Sequence, residues 1–475
     1  MLKHWTIIIA GLFILFSGNL QSQESWSLKD CIDYAHKNNI QVQQQSLDLK
    51  NREIDVDQSK LDLLPSLNGN IYGSNRWGKS VDPFTNQFAT KSVIQAGFSG
   101  DARVTLFDGF RYMNSIKMNK LEYEAAKYAY DKLLEDISIR IANQYLQVLF
   151  AMEDLEIARN QLEITQQQVD RTRKLVEAGT LAKGDLLNIR AQASNEKAQL
   201  IRAENNLDLA YLNLTQLLDL KSTTDFEIEK PGIALNGGIE SFESVEAIYN
   251  YALGHQPQIK TAEVNVEVSE KYLAIQKGGL SPTLSLSGSI SSGYSESSKV
   301  PGDIQLQEVE VGYTEGGESV FTMQQMAKDY KTQALADQLD ENLGRSVSLS
   351  LNIPIFNNWR QRNNISKAKI QREQAEYELR LEKQNLRKTI ESAYTDAKAA
   401  KNNYQSAVQR VEATKEAFKY AEKKFNVGII NSVEYNESKK DFTNARSQLL
   451  NAKYQFVFTR TVLDFYLGKP IRIKK

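Results

Sequence analysis

The chain has 475 residues, with 58 Lys and Arg against 59 Asp and Glu, one Cys and three His. This balance gives no electrostatic case for a nucleic-acid partner, and Cys31 alone excludes an internal disulfide and a cysteine-based four-ligand zinc site. His4, His36 and His255 are scattered, and no Gly-rich phosphate loop, nucleophile elbow or ligand cluster occurs, so neither an enzyme nor a metal or cofactor site is expected.

In chain order, Lys3 precedes an apolar run at 7–16 and small and polar residues up to Ser22, the pattern of a secretory signal peptide over 1–22. The run is well short of the roughly 20 apolar residues that a spanning helix needs. No later stretch matches it, so any further membrane entry must use β-strands. Cys31 lies inside a helical pattern and reads as a small residue on a packed face.

Beyond that leader the sequence repeats. Ser27, Tyr34, Ala35, Pro65 and Leu67 recur 217 positions later as Ser244, Tyr251, Ala252, Pro282 and Leu284. Phe107, Arg111, Asn114, Lys120, Tyr128, Tyr145 and Gly179 recur 249 positions later as Phe356, Arg360, Asn363, Lys369, Tyr377, Tyr394 and Gly428. The difference in offset places 32 extra residues between Leu284 and Phe356. A fixed period over more than a hundred residues marks two copies of one unit.

The first repeat is assigned to 23–220, with strands at about 66–75 and 93–107, where Ala102, Val104 and Leu106 alternate with Arg103, Thr105 and Phe107. A helical hairpin at about 109–220 follows. Asp108 and Gly109 form its cap, no proline interrupts it before Pro231, and its apolar residues keep helical spacing, as at Ile141, Tyr145 and Leu149. The descending helix alone would measure ~100 Å at 1.5 Å per residue, so it must lie against others in a coiled-coil-like array. Gly179 stands at its turn, where a positive φ is needed.

A linker at 221–243, with Pro231 and Gly237-Gly238, leads to the second repeat at 244–468. Its strands are placed at about 283–295 and 346–356, where Val347, Leu349, Leu351, Ile353 and Ile355 alternate with polar residues and Pro354. Between them an extra polar loop at about 296–345 is expected to hold a short helix over 322–343. The hairpin at about 359–467 turns at Gly428, and a basic tail occupies 469–475.

Four strands with one apolar and one polar face cannot close around a lumen, since about eight are needed even for a barrel filled by its own side chains. Closure must come from several chains. The turn segments Leu175-Val176-Glu177-Ala178-Gly179-Thr180 and Phe425-Asn426-Val427-Gly428-Ile429-Ile430, followed by Asp185-Leu186-Leu187 and Glu434-Tyr435-Asn436-Glu437, resemble the tip motif of the TolC-like outer-membrane efflux proteins. The resemblance covers nearly all of the chain after residue 22. It implies a mostly α protein with membrane β-strands, two tandem repeats, and a homotrimer whose 12-stranded β-barrel continues as an α-helical periplasmic barrel.

It further implies an outer-membrane channel of a tripartite efflux or type I secretion system, with a periplasmic adaptor and an inner-membrane pump as partners and outer-membrane lipid around the strands. By the same resemblance, Gly179, Thr180, Leu181, Gly428, Ile429 and Ile430 would contact the adaptor, and Asp185, Glu434 and Glu437 would form the channel constriction. Glu434 and Glu437 are three apart and share a helix face, so a trimer would gather six carboxylates in one cation-favouring ring. The best-known members carry an arginine where this chain has Ile430, so a gate built on that arginine is not implied. The competing assignment is a periplasmic coiled-coil adaptor or scaffold. It is disfavoured because an adaptor's β-rich parts form soluble modules rather than strand pairs inserted between helices.

Overall fold

Ser27 and Ser244 begin the two repeats in the same way, each as a helix cap whose hydroxyl accepts the backbone N–H three residues on. The computed structural model describes residues 25–82, 84–86, 88–89, 92–221, 226–231 and 242–471. The expected signal peptide, Gly237-Gly238 and the last four residues lie outside the described residues.

The first repeat comprises α1 (Leu28–Asn38), α2 (Ile40–Leu61), β1 (Ser66–Arg76), the short β2 (Ser80–Val81) and β3 (Phe88–Ala89), β4 (Val93–Phe107), α3 (Arg111–Glu177) and α4 (Lys183–Leu217). The second comprises α5 (Val245–His255), α6 (Pro257–Gly278), β5 (Thr283–Ser295), β6 (Lys299–Pro301), β7 (Ile304–Tyr313), β8 (Ser319–Ala327), β9 (Tyr330–Thr332), α7 (Leu335–Glu341), β10 (Gly344–Asn352), α8 (Arg360–Asn426) and α9 (Ser432–Tyr466). Adding 217 to the bounds of α1 and α2 gives those of α5 and α6, and adding 249 to those of α3 and α4 gives those of α8 and α9. The shared backbone extends to an uncommon detail. Gly109 and Phe110 both have positive φ before α3, and Asn358 and Trp359 do so before α8.

Contacts divide the chain into two units. Among the described residues, the helical unit holds 25–53, 121–221, 226–231, 242–267 and 373–471. Its larger core gathers Cys31 and Ala35 of α1, Ile137, Ile141, Tyr145 and Leu149 of α3, Leu214 of α4, and Leu450 and Tyr454 of α9. Each fully buried Ile or Leu contributes about 1.5–3 kcal/mol relative to exposure. The Tyr145 hydroxyl is satisfied by donating to Glu229 O at 2.6 Å, which pins the described part of the linker. A second core joins Ile248, Ala252 and Ile259 to Leu386, Ile390 and Leu463.

The other unit, residues 54–120 and 268–372, is built on a four-stranded antiparallel sheet in the order β1-β4-β5-β10, so the two repeats pair through β4 and β5. Its register sorts side chains by polarity, because residues opposite one another share a face. One face carries the rows Leu67, Ala102, Gly288, Val347 and Val104, Leu286, Leu349. The other carries Ser66, Arg103, Ser287, Ser348 and Asn68, Asp101, Ser289, Ser346. Among the described residues the apolar face is left open, with Val347 81% and Leu349 65% exposed.

Two expectations are corrected here. The strand expected over 346–356 stops at Asn352, since Pro354 cannot donate to a ladder. The short helix expected over 322–343 exists only at Leu335–Glu341. Residues 319–327 instead pair with 304–313 as a hairpin, turning at Gly316-Gly317, and this pairing of Val320, Phe321 and Thr322 overrides the helical preference of the Met and Gln residues that follow. At the β1–β4 connection, buried Asp82 accepts hydrogen bonds from Phe84 N, Thr85 N, Gln95 Nε2 and Ser295 Oγ, which ties that connection to β5.

Candidate functional site at the hairpin turns

Both long helices end in the same hydrogen-bonded cap. Gly179 N donates to Val176 O and Thr180 N to Leu175 O, while Gly428 N donates to Phe425 O and Ile429 N to Lys424 O, the paired bonds of a Schellman cap. Gly179 and Gly428 hold φ of +78° and +76°, and no atom lies within 4 Å of where a Cβ would stand. Glycine is therefore required there by backbone conformation, not by crowding.

The turns are solvated knobs. Gly179, Thr180, Gly428 and Ile429 are exposed, and Leu181 and Ile430 are half-buried. Asn431 then caps α9, its Oδ1 accepting from Val433 N at 2.9 Å and Glu434 N at 3.0 Å. The exposed apolar side chains of Val427, Ile429 and Val433 cluster in sequence around that turn.

Of the three acids expected at a constriction, Asp185 is joined to the second hairpin, accepting from the buried Ser432 Oγ at 2.7 Å. Glu434 accepts from its own cap residue, Asn431 Nδ2, at 3.1 Å. Glu434 and Glu437 are both exposed on the first turns of α9, where the positive end of the helix favours carboxylates. Arg171 donates to Asn426 Oδ1 at 2.8 Å and so also links the hairpins.

Sequence reading missed a buried ion pair in this region. Lys439 of α9 and Glu196 of α4 stand 3.5 Å apart with side chains only 3% exposed. Lys439 donates to Thr165 of α3, Thr165 donates to Glu196, and Gln161 and Gln192 complete the carboxylate's shell at 3.2 and 2.8 Å. Burial lowers the Lys439 pKa, and Glu196 opposes that shift. The signal was present: Glu196 interrupts the seven-residue stripe Ile189, Ala203, Ala210, a position that faces a partner helix. Farther from the turns, Leu450, Tyr454 and Val457 share a core with Leu146, Leu149 and Leu214.

Comparison with known proteins agrees with this architecture. The profile of the family described as "Outer membrane efflux protein" matches residues 31–219 and 248–469. Among curated proteins, the outer membrane protein TolC of Salmonella enteritidis is 21% identical over 342 residues, covering 70% of this chain and 61% of that protein. TolC of Escherichia coli is 22% identical over 344 residues, covering 70% and 62%. The chain thus spans about three fifths of the length of these relatives. The crystal structure of the outer membrane protein VceC from Vibrio cholerae superposes with a TM-score of 0.72 at 16% identity, covering 94% of this chain and 97% of that one, which establishes the shared fold.

Proposed function

Because the chain belongs to the outer membrane efflux protein family, we propose that three copies assemble a 12-stranded barrel in the outer membrane and a helical conduit on its periplasmic side. Efflux or secretion cargo passes through this conduit to the exterior. The observation that carries the reading is the register of the β1-β4-β5-β10 sheet. Its strands of 9 to 15 residues match the length needed to cross a bilayer, with one face apolar and the other lined by Ser, Asn, Thr and charged side chains. Such a sheet, exposed on both faces and with free edges on β1 and β10, is complete only when edges meet those of further copies and lipid covers the apolar face.

In this proposal the hairpin turns meet a periplasmic adaptor, with Gly179, Thr180, Leu181, Gly428, Ile429 and Ile430 at the contact, and an inner-membrane pump feeds the conduit. Asp185, Glu434 and Glu437 stand near the entrance, where a ring of carboxylates favours cations. The exposed Val427, Ile429 and Val433 support the docking role, since apolar knobs on a polar surface are what a partner covers.

Planar-bilayer recording tests the entrance. Glu434→Gln with Glu437→Gln should lower the cation-over-anion permeability ratio of the purified channel, and an unchanged ratio would remove these acids from the conducting path.

A further inference from the structure

The two long helices begin with an unusual charge pattern. Neither α3 nor α8 has an acid in its first turn, although α4 and α9 begin with Asp185 and Glu434. From Arg360 to Arg372, α8 carries no acid at all, and the first appears at Glu373. Arg360, Arg362, Lys367 and Lys369 are all exposed, and none of the four forms an ion pair among the described residues. The start of α3 shares the pattern only in part: Lys117 and Lys120 precede the first acid within the helix, Glu122, but Arg111 is paired with the buried Asp108 at 3.8 Å, and the Asp108 carboxylate also accepts Tyr112 N at 2.9 Å.

Cations at a helix N-terminus oppose the macrodipole, so local helix stability does not explain them. A phosphate does. The free N–H groups of a helix start and the surrounding guanidinium and ammonium groups attract the same anion.

The place of the cluster identifies the anion's source. It directly follows β10 and the exposed apolar side chains of Ile353, Ile355 and Phe356, which continue the apolar stripe of the strand. Trp359, 56% exposed, ends this run, and the Arg362 guanidinium lies 4.5 Å above its ring. In the other repeat, Phe107 and Phe110 make an edge contact, with ring centroids 5.4 Å apart, just before Arg111. Aromatic rings of this kind settle at the bilayer interface, and the next residues along the chain then lie among headgroups. Lys369 is nine residues beyond Arg360, about 14 Å along the axis, the depth of a headgroup layer plus one Debye length.

We propose that the basic starts of α8 and α3 form a collar that binds the phosphates of anionic phospholipids in the periplasm-facing leaflet, with Arg360, Arg362, Lys367 and Lys369 as its main contacts. This rests on the outer-membrane channel reading. The collar fixes the depth of the barrel and makes assembly sensitive to leaflet charge. α2 contributes little to it, because its end carries Asp57 and Asp62, and Lys60 is paired with Asp57 at 2.7 Å.

The test uses the full-length protein extracted from outer membranes in a neutral detergent. It is titrated with phosphatidylglycerol or phosphatidylethanolamine of identical acyl chains, and bound lipid is counted by native mass spectrometry. Each basic residue at a membrane surface is expected to contribute roughly fivefold. The wild-type protein should therefore prefer phosphatidylglycerol by about tenfold or more, and the preference should fall toward parity at about 1 M salt, where the Debye length is near 3 Å.

The variant Arg360→Gln, Arg362→Gln, Lys367→Gln, Lys369→Gln should lose most of the preference, whereas Lys423→Gln with Lys424→Gln, at the far end of α8, should retain it. If the fourfold variant fails to assemble, Arg360→Gln with Arg362→Gln and the wild-type salt series decide the matter. A wild-type protein without preference, or a collar variant that keeps it, overturns the collar. Absence of the wild-type protein from outer membranes instead overturns the channel reading.

Discussion

Lys439 and Glu196 show what a single pair of side chains fixes in this protein. Removing one partner of a buried ion pair leaves an uncompensated charge and costs about 3–5 kcal/mol, while replacing both by apolar groups is often neutral. Lys439→Met should therefore lower the thermal unfolding midpoint of the extracted protein sharply, and Glu196→Leu with Lys439→Met should recover most of the loss. A double variant as unstable as the single one would mean that the loss does not come from an uncompensated buried charge. Glu135 gives a pH dependence of definite sign. Burial, and then Asp136 and Asp131, push its carboxyl up to about 7, against a partial counter-effect of Lys132. A folded-state value above the unfolded one contributes stability that is full below about pH 4.5 and lost as pH rises through about 7. Glu135→Gln should hence raise the unfolding midpoint at pH 8 and leave it nearly unchanged at pH 4, and an equal effect at both would assign the change to packing. The glycines at 179 and 428 were legible because φ > 0 has a residue signature. The Lys439 pair was not read, since a charged residue in a charge-rich helix looks solvated until a neighbouring helix covers it.

Among the elements, the strands are the most sensitive to which face a residue occupies. Leu349 and Ser348 are neighbours on β10 pointing to opposite faces. Leu349→Arg should cost about 2–4 kcal/mol if its face meets lipid near the midplane, whereas Ser348→Arg on the polar face should be tolerated. Heat-modifiable migration of the extracted protein distinguishes them, and equal tolerance would contradict the assignment of faces. At the hairpin turns, Gly428→Ala should cost about 1–2 kcal/mol from the left-handed backbone alone, because no neighbouring atom obstructs a Cβ. Asn at the same position should cost less, which a comparison of unfolding midpoints would reveal. The strand alternation at 347–351 and the uninterrupted helical spacing of α3 were readable from sequence. The β7–β8 hairpin was not, because Met323, Gln324, Gln325 and Met326 favour helix locally and only the register with 304–313 makes them a strand. The left-handed Trp359 had no signal either, whereas Asn358 is of a residue type that tolerates that region.

At the scale of the whole molecule, one unit of sequence used twice gives paired sets of helices and an open four-stranded sheet with an exposed apolar face. The repeat offsets, visible in residues such as Tyr145 and Tyr394, reappear as identical displacements of helix bounds, so a duplication sets where the elements fall. The 32-residue excess went into the β7–β8 hairpin and the short α7 rather than into the long helices. What a single sequence conveys less directly is the partner of each surface, because apolar residues on an exposed sheet face look the same whether lipid, another copy or a core covers them. The mass of the complex extracted from the outer-membrane fraction tests the central claim most directly. The account predicts a complex of three chains there, and a monomer confined to the soluble periplasmic fraction would contradict it.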